Sequence, residues 1–165
     1  MSLRKYAPKS ICLVMLVFFL VIPLSSCGMF FQQEPLELDN FMEVMEEKGF
    51  EVEDHTNLTP PTAIEELADL YLVAVSPCDS YQIHFIKFQT DGGAQRVFEV
   101  FRQEADAARG SVSRYSSVNM PNHNRYQMTS MGFFVYILRV EDVLVFTIRA
   151  NEEHRDEIRE IFDLL

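Results

Sequence analysis

The chain has 165 residues and a formal net charge of −11 at pH 7. All 25 acidic residues follow position 27, but only 11 of the 14 basic residues do, so this part of the chain is strongly negative. Such a charge argues against nucleic acid as the partner of the whole chain. Only Cys78 of the three cysteines lies beyond position 27, which excludes an internal disulfide there and leaves an apolar core to stabilise the fold.

The first residues have the pattern of a secretory signal peptide. Arg4, Lys5 and Lys9 precede an apolar run from residue 11 to residue 24. A basic start followed by a short apolar stretch is typical of such signals. The run is too short for a permanent transmembrane helix, which needs about 20 apolar residues. We therefore expect this segment to direct export and then to be removed.

The apolar run ends in Leu24-Ser25-Ser26-Cys27. This tetrapeptide resembles the lipobox of bacterial membrane lipoproteins. The resemblance implies cleavage between Ser26 and Cys27 and lipidation of Cys27, whose thiolate is a strong nucleophile. It also implies that fatty acyl chains anchor the protein to the cell membrane on its extracytoplasmic side. The alternative is cleavage by ordinary signal peptidase after Gly28, with Ser26 and Gly28 as the small residues, which would release the protein.

The chain thus divides into a lipoprotein signal peptide (1–26), an acylated cysteine with a short tether (27–36) and a single extracytoplasmic domain (37–165). In the domain, a first helix is predicted over 39–48 and ended by Gly49, because glycine readily adopts the left-handed conformation after a helix. The sequence "FEVED" that follows is typical of a short strand. A capping box of Thr62 and Glu65 predicts a short helix to about residue 69. Two strands, 70–76 and 81–89, come next.

The second half of the domain has a clearer pattern. Asp91 is predicted to cap a helix that carries one apolar stripe and stops at Gly110. Four strands and a last helix follow. The strands are predicted at about 112–118, 124–130, 133–140 and 143–149, and the helix begins after Asn151 and has Ile158, Ile161, Phe162 and Leu165 on one face.

These elements predict an α+β fold with a mainly antiparallel sheet of about five to seven strands and with helices packed on one face. Strict alternation in 112–118 and 124–130 places Tyr115, Tyr126 and Met128 on one side of the sheet. It places polar residues, Arg114 among them, on the other side, which suggests a wet face. The strands 133–140 and 143–149 are apolar on both faces and are expected to be central.

No catalytic motif is present, and we predict that the protein is not an enzyme, with no cofactor and no metal site. His84 and His123 are the two histidines that a catalytic role would use. His84 lies in the middle of a strand, where a half-buried histidine of the core edge is the simpler explanation. His123 lies in an asparagine-rich segment that is typical of a polar turn.

One local charge asymmetry suggests a function. Residues 109–149 contain five arginines and only two acidic residues. We predict that Arg114, Arg139 and Arg149 share the wet face, where their planar guanidinium groups would bind an anionic ligand such as a cell-envelope polymer or an acidic peptide. The alternative is that these arginines pair with acids or keep the sheet soluble. The protein would then be a structural envelope component without a small ligand.

Overall fold

Seven strands form one antiparallel sheet, against which three helices pack. The structure is a computed structural model that describes residues 35–57 and 67–165. The predicted signal peptide (1–26) and the predicted lipidation site Cys27 lie outside the described residues, as does most of the helix predicted from Thr62. Ala68 and Asp69, which that prediction placed at the end of the helix, belong to a strand instead.

The element bounds agree with most of the predictions from sequence. The helices are α1 (Leu38–Glu47), α2 (Asp91–Ala107) and α3 (Arg155–Leu164), the last preceded by a 3-10 turn, Glu152–His154. The strands are β1 (Glu51–Asp54), β2 (Ala68–Val75), β3 (Gln82–Phe88), β4 (Ser113–Asn119), β5 (His123–Ser130), β6 (Phe133–Val140) and β7 (Val143–Asn151). Their order in the sheet is β1-β2-β3-β7-β6-β5-β4, and every neighbouring pair is antiparallel. The α+β class and the central position of β6 and β7 are confirmed.

The ends of the helices show which residues stop and start them. At the end of α1, Gly49 adopts a φ of 75° and its N–H donates to the carbonyl of Glu46, while the N–H of Phe50 donates to the carbonyl of Met45. This is the Schellman motif, which satisfies carbonyls that the helix leaves unpaired. Thr90, and not Asp91, caps α2, because the Thr90 hydroxyl accepts from the N–H of Gly93 at 3.1 Å.

The helices cover both faces of the sheet, which corrects the prediction that they pack on one. On one face, here called the α1/α3 face, α1 and α3 bury strand residues such as Phe85, Tyr136 and Val145. On the other, the α2 face, α2 buries residues such as Ile137 and Leu144. Consecutive residues of a strand point to opposite faces, so apolar runs such as those of β6 and β7 must be covered on both sides.

The packed part of the chain begins slightly earlier than expected. Leu36, which the sequence places at the end of the tether, is buried in the core of the α1/α3 face together with Phe41 and Met45 of α1. Residues from Pro35 to Leu165 form one compact unit. Because helices cover both faces of the sheet, a ligand can reach a face of the sheet only where the helices leave a gap.

Candidate functional site

The three arginines that the sequence placed on one face do not meet. Register decides this: Arg114 of β4 lies opposite Thr129, which lies opposite Phe134, a residue of the α1/α3 face. Arg139 is five residues further along β6 and so belongs to the α2 face. Arg149 lines a pocket on that same α2 face. The prediction that Arg114, Arg139 and Arg149 share a face is therefore wrong.

Arg139 is a buried structural residue. Its side chain is 1% exposed, and three of its N–H groups donate to oxygens of the protein. Nε donates to Oδ1 of Asn124 at 2.6 Å, Nη1 to the carbonyl of Glu141 at 2.8 Å and Nη2 to the carbonyl of Pro121 at 2.7 Å. Burial lowers the pKa of Arg139, and the charges of nearby acids partly oppose this shift. Arg139 thus joins the β4–β5 loop to the β6–β7 turn and has no fork left open to a ligand.

Arg114 instead meets two arginines that sequence reasoning missed. Arg155 and Arg159 lie one turn apart on α3, and together with Arg114 they line a cleft of about 300 Å³. Arg114, at the edge of the sheet, is distant in sequence from the two arginines of α3, and the fold brings the three residues to the same cleft. We call this cleft, which Ser116, Gln127 and Thr129 also line, the arginine cleft.

Polar contacts position two of the three guanidinium groups. Nε of Arg159 donates to Oε1 of Gln127 at 3.0 Å, and the guanidinium carbon lies 5.7 Å from the ring centroid of Phe134. Nε of Arg155 donates to Oδ1 of Asp156 at 3.0 Å, an exposed pair that raises the pKa of Arg155 and lowers that of Asp156. The outer N–H groups of Arg159 form no hydrogen bond with another residue in the described ranges.

Arg114 and Arg159 lack carboxylate partners. No ion pair joins either of them to an acidic side chain among residues 35–57 and 67–165. Guanidinium groups that form no ion pair and have hydroxyl and amide groups beside them suit a carboxylate or a phosphate. Chemically, the arrangement is fitted to bind an anion.

The histidines considered for catalysis lie apart from this cleft. The ring of His84 is stacked on Phe146, with centroids 4.7 Å apart, and its Nδ1 is hydrogen-bonded to the hydroxyl of Tyr71 at 2.8 Å. Burial is the main cause that lowers the pKa of His84 to about 4, and the charge of His55 contributes. His84 is therefore a neutral residue of the core edge at neutral pH, as the sequence suggested.

His123 is the first residue of β5 and follows the loop that Arg139 organises. Burial lowers the pKa of His123, and the positive charges of Arg125 and Arg139 add to that effect. Asn124, fully buried, bonds to Asn119 and to Arg139, so the asparagines of this segment hold the loop together. Within the described part of the chain, no three His, Cys, Asp or Glu side chains are grouped as a metal site requires.

Comparisons with known proteins leave the ligand open. No protein-family model and no curated protein matches this chain. Among solved structures, a GTP binding regulator from Thermotoga maritima is similar at a TM-score of 0.44 and 13% sequence identity, over 78% of this chain and 86% of that one. A similarity this distant supports no inference about binding. Among the helices that the structure describes, none combines the length and the apolar character needed to cross a bilayer.

The role of Arg139 is testable by substitution. Replacing Arg139→Met would leave the Asn124 amide oxygen and two loop carbonyls without donors in a dry environment. We expect the free energy of unfolding to fall by about 2–4 kcal/mol. Urea unfolding followed by circular dichroism measures this. Arg114→Met, at an exposed strand position, is the control and should change stability by less than about 0.5 kcal/mol. Equal effects of the two substitutions would contradict the structural role.

The buried His84 predicts a pH dependence of stability. The folded-state pKa of about 4 lies below the ordinary histidine pKa of 6.5, so the unfolded chain binds the proton more tightly between these values. The contribution is fully present above pH 6.5 and is lost as the pH falls toward 4, with a slope of up to about 1.4 kcal/mol per pH unit. His84→Gln should flatten this part of the profile. A profile unchanged by His84→Gln would contradict the assignment.

Proposed function

We propose that this chain is a membrane-anchored extracytoplasmic lipoprotein whose α+β domain binds an anionic ligand in the arginine cleft. The observation that carries the binding proposal is the convergence of Arg114, Arg155 and Arg159 on one cleft. The lipobox-like sequence Leu24-Ser25-Ser26-Cys27 supports the anchor. The two parts of the proposal are independent and are tested separately.

The anchor follows from the chemistry of Cys27. A diacylglyceryl group on its sulfur would supply two acyl chains, and each buried methylene contributes about 0.8 kcal/mol to membrane binding. One chain alone binds a membrane only marginally, whereas two give stable attachment. The domain would then stay at the cell membrane, on the extracytoplasmic side, without a membrane-spanning helix.

The ligand class follows from the cleft and its surroundings. Arg125 lies on the same face of β5 as Gln127, two residues away, so positive charge continues along the sheet beside the cleft. The chain as a whole is acidic, with a net charge of −11. A local positive surface on an acidic protein attracts anions to that surface alone and repels them elsewhere. A cell-envelope polymer with repeated carboxylates or phosphates, or an acidic peptide, has this chemistry.

The anchor predicts a defined mature N-terminus. In a bacterial host, the membrane fraction should contain protein that begins at Cys27 and carries acyl groups, as read by mass spectrometry of the intact chain. Cys27→Ser should abolish acylation and leave the leader attached. A wild-type protein that begins at Met29 and is found in the soluble fraction would support release by ordinary signal peptidase. An unmodified Cys27 thiol would overturn the anchor.

The cleft predicts charge-dependent binding. The double variant Arg114→Gln, Arg159→Gln removes the two guanidinium groups that have no carboxylate partner. We expect retention of the full chain on purified cell-wall fractions, and affinity for polyphosphate or polyglutamate, to fall by about tenfold or more, which corresponds to about 1.4 kcal/mol. Raising the salt concentration should weaken binding of the wild type in the same direction.

The matched control removes the same charge elsewhere. Lys87→Gln with Arg96→Gln also lowers the net charge by two, at exposed positions of β3 and α2 outside the cleft. Retention that falls equally in both double variants would mean that net charge, and not the cleft, governs binding. Retention that falls in neither, with the fold intact, would leave the structural envelope protein without a small ligand as the better explanation. Stronger competition by polyphosphate than by polyglutamate, or the reverse, identifies the preferred anion.

A further inference from the structure

A second pocket lies on the opposite face of the sheet, independent of the arginine cleft. It is a space of about 260 Å³ between the C-terminal half of α2 and strands β5 to β7. Its lining is apolar over most of its area and includes Phe101, Ala105, Met128, Val135, Ile137 and Ile148. We call it the apolar pocket. Its volume lies just below the range of about 300–1,000 Å³ that is typical of pockets for drug-sized ligands, so it suits a slender apolar ligand.

Apolar side chains are unusually exposed where this pocket meets solvent. Met131 is 76% exposed, Phe133 is 50% exposed and Ile148 is 44% exposed, and all three line the pocket. Scattered apolar residues on a surface need no explanation, but a contiguous group around a pocket indicates a binding site. The group lies beside the β5–β6 turn, where Met131 itself has a positive φ of 53°.

A bulge in β7 brings a positive charge to this pocket. Tyr136 pairs with Thr147 and Phe134 pairs with Ala150, so Ile148 and Arg149 together lie opposite Val135 alone. Consecutive residues of a regular strand point to opposite faces, yet both Ile148 and Arg149 line the same pocket. Bulges redirect side chains in this way and are common beside functional sites.

The conformation of Arg149 is unfavourable for an arginine. Its φ of 57° lies in the left-handed region, which glycine adopts without penalty and other residues do not. No hydrogen bond or ion pair joins the Arg149 side chain to another residue in the ranges that the structure describes. The bulge of β7 holds this backbone conformation, and strained residues of this kind cluster at ligand sites.

One carboxylate also lines the pocket. Glu104 of α2 is exposed and lies in the same lining as Arg149, whereas the buried hydroxyl of Ser130 already accepts from the N–H of Gly110 at 3.0 Å. The charge available to a ligand at this pocket is thus one guanidinium, opposed by one carboxylate. A headgroup with a single negative charge fits this balance better than a phosphate with two.

We propose that the apolar pocket binds the acyl chain of a monocarboxylate amphiphile, with its carboxylate on Arg149. The apolar lining takes the chain, the exposed Met131 and Phe133 cover the part near the mouth, and the bulge holds the guanidinium where the headgroup emerges. A free fatty acid and the acyl tail of a larger carboxylate lipid share this chemistry. The cleft on the other face takes no part in it.

The test is photolabelling of the full chain in lipid nanodiscs with a diazirine-bearing decanoate. Mass spectrometry of the peptides should place the label in residues 101–108, 128–137 and 148–149. Arg149→Gly should reduce this labelling by about threefold or more. Because glycine relieves the left-handed strain, the Tm of the same variant should stay unchanged or rise by about 2–4 °C. Glu104→Gln should increase the labelling, since it removes the opposing charge.

Two controls separate the proposal from general lipid affinity and from the arginine cleft. A diazirine-bearing decanol, which lacks the carboxylate, should label the pocket less than the acid does, and excess decanoate should compete with the labelled acid. Arg114→Gln, in the arginine cleft, should leave the labelling unchanged. A carboxylate lipid whose tail competes better than free decanoate would identify the larger source.

The proposal is overturned by any of three results. The first is labelling that does not respond to Arg149→Gly or to Glu104→Gln. The second is labelling outside the pocket peptides only. The third is a lowered Tm for Arg149→Gly with labelling intact, which would make Arg149 a structural residue of the bulge. Loss of binding to polyanions in the Arg114→Gln, Arg159→Gln variant bears on the arginine cleft alone, so the two proposals fail separately.

Discussion

The structure depends on the burial of both faces of the β6–β7 hairpin. Nearly every residue from Phe134 to Val140 and from Val143 to Thr147 is buried, so apolar side chains leave the sheet in both directions. At about 25 cal/mol per Å² of apolar surface, leaving either face in water would cost more than a small domain can spare. The helices provide this cover: α1 and α3 pack on one face, and α2 packs on the other. Each of the two candidate binding sites lies where that cover ends.

Arg139 shows how the same hairpin fixes its own loops. Arg139 lies near the end of an otherwise apolar strand. It can be buried there because three of its N–H groups donate hydrogen bonds to oxygen atoms of the protein. A buried charge is tolerated when its hydrogen-bonding groups are satisfied. The side-chain oxygen of Asn124 in β5, the carbonyl of Pro121 in the β4–β5 loop and the carbonyl of Glu141 supply those oxygens. The loop that precedes His123, one of the two histidines considered for catalysis, is therefore part of the packing of an arginine.

Most elements were predictable from sequence, because their signals are local. The stripe of α3, the left-handed Gly49 and the alternation in β5 each follow from neighbouring residues. The prediction that all helices pack on one face was wrong because it assumed that the whole sheet has a wet face. Only β4 and β5, at the edge of the sheet, show that pattern in the sequence. The two-sided apolar runs of β6 and β7 already argued against that.

The candidate sites were only partly predictable, because they depend on register and on a bulge. Alternation assigned Arg114 correctly to the face of Thr129, but a shift of one residue in pairing decides which face Arg139 takes. The bulge at Ile148 and Arg149 has no clear sequence signal, since the left-handed residue is not glycine. Arg155 and Arg159 carry an i, i+4 spacing that is visible in the sequence, but only the sheet order shows that Arg114 lies beside them.

The pairing of each arginine separates structural roles from candidate binding roles. Arg102 and Arg109 both contact Asp106, and the hydroxyl of Tyr126 donates to the same carboxylate at 2.7 Å, so these residues form a closed cluster on α2. The guanidinium group of Arg139 is hydrogen-bonded to carbonyl and amide oxygens instead of to a carboxylate. Arg114 and Arg159, in contrast, have no carboxylate partner among the described residues of an acidic protein. Acids do lie near Arg159 on α3, and its charge adds to the effect of Arg155 in lowering the pKa of Asp156, but no carboxylate of the described residues forms an ion pair with it. A guanidinium without an ion-pair partner can bind an anion that the protein does not itself supply.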